Sequence, residues 1–115
     1  MRFQSLVVLL LVLLASAARN QALPGGYSPI NPNDPHVIEI ANFAVTEYDN
    51  KKGTDLKLEK VIKGESETIA AGTNYRLTIS AIHGSESKPN FYNATVYDKP
   101  SVEYRILLIF IPVSA

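Results

Sequence analysis

There is no cysteine among the 115 residues, and only two histidines, His36 and His83. The first absence excludes disulfide staples, thiolate metal sites and a cysteine nucleophile together, and the second excludes a histidine-rich metal site. An excess of charge is missing too, because eleven basic side chains balance eleven acidic ones. A nucleic-acid binder needs a basic stripe to displace counterions from phosphates, so that class is set aside. What is present is ordinary globular material: 46% apolar and 19% charged residues, in a length that supports one domain.

Part of the apolar content is a leader. Met1-Arg2-Phe3-Gln4 carries one positive charge, an aliphatic run extends from Ser5 to Ala15, and Ala15-Ser16-Ala17 has the small-x-small pattern of a cleavage site. Residues 1–18 are therefore expected to be a secretory signal peptide, too short and wrongly flanked for a spanning helix. Residues 19–115 are expected as a secreted, near-neutral, monomeric domain with no membrane segment. Small secreted domains usually carry disulfides, so this one must fold by packing alone, which demands clean periodicity.

Residues 19–33 hold three of the seven prolines and a Gly25-Gly26 pair, and Pro35 lies just beyond. This composition predicts a flexible N-terminal trunk with one short edge strand around Tyr27 to Ile30. Asn33 or Asp34 then caps a helix with Pro35 in its first turn. Val37, Ile38, Ile40, Ala41, Ala44, Val45 and Tyr48 fall on one arc, with Phe43 in the polar arc, and Gly53 ends the helix. After the helix the period changes to two. Leu56 and Leu58 alternate with charges before the phase slips at Lys60-Val61-Ile62, as at a bulge. Tyr75 to Ala81 and Tyr92 to Val96 alternate cleanly, and Val102 to Ile111 is apolar on both faces after Arg105, as in a core strand. The short connections favour antiparallel neighbours. The expected fold is α+β, one helix packed across an antiparallel sheet of four or five strands.

Catalysis finds no support in these residues. His83 beside Gly84-Ser85 lacks an orienting acid and a nucleophile elbow, His36 has no evident partner, and Glu65 with Glu67 reads as solvated charge. Asn93-Ala94-Thr95 is a glycosylation sequon on the polar side of a strand. Three backbone features remain: Gly25-Gly26, the stretch Thr68-Ile69-Ala70-Ala71-Gly72, and Lys99-Pro100-Ser101. In a helix-on-sheet meander they can gather at one end of the sheet as a blunt, uncharged edge.

Ile40-Ala41-Asn42-Phe43-Ala44-Val45-Thr46-Glu47-Tyr48 resembles the helix signature of plant cystatins, the Leu-Ala-Arg-Phe-Ala-Val type. Gly25-Gly26-Tyr27-Ser28-Pro29-Ile30 is similar to their N-terminal Gly-Gly segment. Gly72-Thr73-Asn74-Tyr75-Arg76-Leu77 is similar to the strand after their first loop, and Asp98-Lys99-Pro100 to the opening of their second. The resemblance implies a cystatin-like fold and reversible inhibition of papain-like cysteine proteases, with no cofactor and with plant defence among the family's roles. It implies protease contacts by Gly25 and Gly26, by Thr68, Ile69, Ala70, Ala71 and Gly72, and by Pro100 and Ser101. Two departures predict weakened binding. The family's first loop is Gln-x-Val-x-Gly, where counting back from Gly72 gives Thr68 and Ala70; with one extra residue in the stretch, Glu67 instead takes the glutamine position. The second loop is normally Pro-Trp, where this chain has Pro100-Ser101. The alternative expectation is a secreted, non-inhibitory interaction module on the same fold.

Overall fold

The helix α1 spans Pro35–Lys52, and its ends are built by the residues flanking it. Asp34 stays extended, and its Oδ1 accepts the His36 N–H at 2.8 Å, while Pro35 occupies a first-turn position where no N–H is needed. Gly53 closes the helix at φ 68°, donating its N–H to Asp49 O at 2.8 Å. The Asp49 carboxylate then accepts from Thr54 Oγ1 at 2.6 Å and Leu56 N at 2.9 Å, which ties the helix end to the next strand. The computed structural model describes residues 26–113. The expected leader, residues 1–18, and Gly25 lie outside them.

Five strands form one antiparallel sheet in sequence order: β1 Ser28–Ile30, β2 Leu56–Ile69, β3 Gly72–His83, β4 Asn90–Lys99 and β5 Tyr104–Pro112. The helix lies across one face. Val37, Ile40, Ala41, Ala44 and Val45 are buried against Leu56, Val61, Leu77, Ile79, Ala81, Tyr92, Ala94 and Val96. Alanine at 41 and 44 lets the helix approach the sheet closely. Gly64 makes room within the core for its strand neighbours, since a Cβ there would stand 2.7 Å from Leu77 Cδ2 and 3.3 Å from the Ile30 side chain. The slip expected near residues 60–62 is a pair of register shifts, between Leu58 and Lys60 and between Val61 and Lys63. Inward positions in β2 therefore run Leu58, Val61, Gly64 at intervals of three. Bulges of this kind raise the local twist and wrap the sheet around the helix.

Three expectations are corrected. Ile38, placed on the apolar arc, is exposed at its margin, whereas Phe43, placed in the polar arc, packs against the core. The long aliphatic strand is not a core strand. β5 begins at Tyr104, because Val102 belongs to a preceding 3-10 turn, and it forms the open edge of the sheet. Its inward Leu107 and Phe110 meet the core, Phe110 stacking on Tyr48 at 4.2 Å between ring centres. Ile106, Leu108, Ile109 and Ile111 face outward, at 36%, 52%, 47% and 51% exposure. A helix covers only one face of the sheet, and an apolar run cannot reveal that the other face has no cover.

Candidate functional site

Strand register decides which loops meet. Ser28 pairs with Ser66 across β1 and β2, so the chain leaves β1 backward toward Thr68 and the β2–β3 turn. There Gly26 adopts φ 81°, a conformation that calls for glycine, and it lies against the mobile end of the Glu67 side chain. The neighbouring Tyr27 is held by the Arg76 guanidinium, 3.8 Å from its ring centre, and Arg76 in turn donates from Nε to Glu65 Oε1 at 2.9 Å. That bond to Glu65 pushes the Arg76 pKa up, keeping the cation in place.

The first loop is tighter than expected. Thr68 and Ile69 belong to β2, Gly72 belongs to β3, and Ile69 pairs with Gly72, which leaves a two-residue turn, Ala70-Ala71. Both alanines have positive φ, 52° and 63°, as in the hairpin turns whose twist matches the strands. For a residue with a Cβ that conformation costs roughly 1–2 kcal/mol. Tyr97 supports the turn from β4, its Oη donating to Ala70 O at 2.8 Å. Gly72 is buried beneath, where a Cβ would overlap the Tyr97 hydroxyl and stand 2.8 Å from Asp98 O.

The second loop leaves β4 beside that point. Thr73 pairs with Asp98 and Lys99 with Tyr104, so the turn Pro100–Val102, closed by Glu103 N–H to Pro100 O at 3.0 Å, projects from the same end of the sheet. Tyr104 packs at 6.2 Å from Tyr97, which joins the second loop to the first through one aromatic side chain. Gly26, Thr68, Ile69, Ala70, Ala71, Pro100 and Ser101 are exposed there, and Gly72 lies beneath them.

Behind this edge sits a charge cluster that the reading of the sequence missed. Asp98 is 3% exposed; its Oδ1 accepts from Arg105 Nε at 2.8 Å, and its Oδ2 lies 3.3 Å from His36 Nε2. Arg105 reaches on to Glu39 Oε2 at 3.0 Å. The Asp98 bond raises the Arg105 pKa, and burial, then the nearby Asp98 and Asp34 carboxylates, raise that of Tyr75. His36, without an evident partner in the sequence, thus joins the helix start to the end of β4 and packs edge-on to Tyr75 at 5.8 Å. One signal of the cluster does exist. The inward phase Tyr92, Ala94, Val96 runs on to Asp98, and an acid in a buried phase requires a cationic partner.

Residues 30–113 match the family described as aspartic acid proteinase inhibitor, SQAPI. The chain is 49% identical over 109 residues to cysteine proteinase inhibitor 5 of Arabidopsis thaliana, covering 94% of this chain and 85% of that one. It is 38% identical over 128 residues to cystatin-1 of Zea mays, covering 97% and 93%. The chain belongs to the plant cystatin family. The cystatin fold is shared with solved structures of much lower identity. A salivary cystatin from the soft tick Ornithodoros moubata superposes with a TM-score of 0.67 at 19% identity, over 80% of this chain and all of that one. In this cystatin the described residues singled out in the trunk and the two loops stand together at one end of the sheet. Asn93 stands apart, exposed on the sheet face opposite the helix.

Proposed function

We propose that this cystatin is a secreted, reversible inhibitor of papain-like cysteine proteases, acting through the edge formed by Gly25 and Gly26, Thr68 to Gly72, and Pro100-Ser101. The observation that carries the reading is the convergence of Gly26, the Ala70-Ala71 turn and the Pro100–Val102 turn at one end of the sheet. Relatives named as cysteine proteinase inhibitors support it. The role is to block chemistry, not to perform it. The left-handed Ala70-Ala71 turn and the turn after Pro100 keep the backbone out of the extended form in which a scissile bond is offered. Binding is weakened by Ser101, because an aromatic anchor at the centre of an interface contributes about 2 kcal/mol or more. At 1.4 kcal/mol per decade its absence costs roughly thirtyfold in affinity.

A second reading rests on one specific observation, that the matched family is described by aspartic proteinases. The test is titration of purified residues 19–115 against papain and, in parallel, against a pepsin-type enzyme. Inhibition of papain is expected. Inhibition of the aspartic enzyme alone transfers the role to the second reading, and inhibition of neither up to about 50 μM, equivalent to roughly 6 kcal/mol of binding, leaves a non-inhibitory module.

A further inference from the structure

The face of the sheet away from the helix carries an open groove of about 320 Å³, in the size range of small-ligand sites. One wall is aliphatic, made by Ile109 and Ile111 of β5, and the other is polar, made by Lys63, Glu65 and Arg76. Between the walls stands Asn93, directly opposite Ile111 in the β4–β5 register, with Thr95 opposite Ile109. Asn93 is the acceptor of the sequon Asn93-Ala94-Thr95. Its Oδ1 accepts from Thr78 Oγ1 at 2.9 Å, a bond that does not use the amide nitrogen to which a sugar is attached.

We propose that Asn93 carries an N-linked glycan whose first sugars lie in this groove and cover the aliphatic stripe of β5. The reading rests on residues 1–18 directing the chain into the secretory pathway. In the transfer, Asn93 Nδ2 loses a proton and bonds the anomeric carbon of an oligosaccharide carried on a lipid pyrophosphate. The anomeric C–O bond breaks, and the lipid pyrophosphate leaves. The groove matches the sugar's own two-sidedness, with a C–H face for Ile109 and Ile111 and hydroxyl and N-acetyl groups for Arg76 and Glu65.

The β5 stripe needs such cover. From Ile106 to Val113 no charged residue interrupts an exposed, unpaired edge, and Phe91 extends the apolar surface on β4. The extra residue Leu108 and Pro112 blunt the backbone edge of β5 itself. What remains to be covered is the exposed apolar face of Ile109 and Ile111, a patch of the kind that associates with a second chain. A bulky, solvated group one residue across from Ile111 supplies that cover.

The test is expression of the full chain in secreting plant cells, as wild type and as Asn93→Gln, Thr95→Val and Thr95→Ser. Wild type and Thr95→Ser, which keep the sequon, are expected to be secreted with a mass increment that an amidase removes, and to sediment as monomers with little binding of a hydrophobic dye. Asn93→Gln and Thr95→Val are expected to lose the increment, bind the dye and sediment as dimers or larger species. The papain titration of Asn93→Gln should match wild type, because Asn93 pairs with Thr78, well along β3 from the Gly72 end, so a failure of the inhibitor reading would appear separately. Secretion without the increment overturns the proposal, and so does retention of an unmodified chain, which also removes the leader. Equal dye binding and sedimentation with and without the glycan refute its covering role.

Discussion

Replacing Gly72 by alanine tests the coupling between the two loops. The added methyl would overlap the Tyr97 hydroxyl and stand 2.8 Å from Asp98 O. The tyrosine can swing away, but the carbonyl belongs to the β3–β4 ladder, where Thr73 pairs with Asp98, and cannot move without opening it. Overpacking of this kind costs about 2–3 kcal/mol. In a domain of this size each kcal/mol lowers Tm by roughly 4–8 °C, so the expected loss is roughly 10–20 °C. Rotation of Tyr97 also breaks its bond to Ala70 O, so papain inhibition should weaken even well below the new Tm. Thermal unfolding of wild type, Gly72→Ala, Tyr97→Ala and the double variant separates the contributions. The tyrosine part of the clash vanishes in the Tyr97→Ala background and the carbonyl part persists, leaving a cost near 1 kcal/mol. A Gly72→Ala protein that melts within about 2 °C of wild type would refute the reasoning, since the ladder would have absorbed the methyl freely.

The same geometry sets three further expectations. Ser101→Trp should tighten inhibition of papain roughly thirtyfold in a competitive titration; unchanged affinity places Ser101 outside the contact. Asp98→Ala removes the partner of Arg105 and His36, and should lower stability to urea by about 2–3 kcal/mol, below the roughly 3–5 typical of a fully buried pair because Arg105 keeps Glu39. Tyr75 and Tyr92 both have pKa values raised above the ordinary 10.0, chiefly by burial. The folded state therefore resists their ionisation, so their contribution is complete below pH 10 and falls as pH rises past it. Urea unfolding from pH 8 to 11 should show that fall, and Tyr75→Phe should make it shallower.

The helix is legible in the sequence because its signals agree: Asp34 and Pro35 at the start, Gly53 at the end, and a 3.6-residue apolar period between them. β3 and β4 are legible from strict alternation. The role of β5 is not, because apolar residues on both faces are equally consistent with a two-sided core strand and with an uncovered edge, and only its place in the sheet decides. The loop positions of the site can be read from glycine, proline and small residues. That they can converge follows from the meander, which returns the β2–β3 and β4–β5 turns to one end. The residue-by-residue register does not, because the two shifts in β2 reset which residues of β2 and β3 face each other. The Asp98, His36 and Arg105 cluster joins residues 62 and 7 positions apart, a relation no local pattern encodes.

Amide hydrogen exchange of the cystatin, alone and bound to active-site-blocked papain, measures the central claim at each segment. The account predicts slowed exchange together at Gly26-Tyr27, at residues 68–73 and at residues 101–104, with α1 and the outer face of β5 unchanged. Protection confined to one of these segments, or centred on β5, would contradict it.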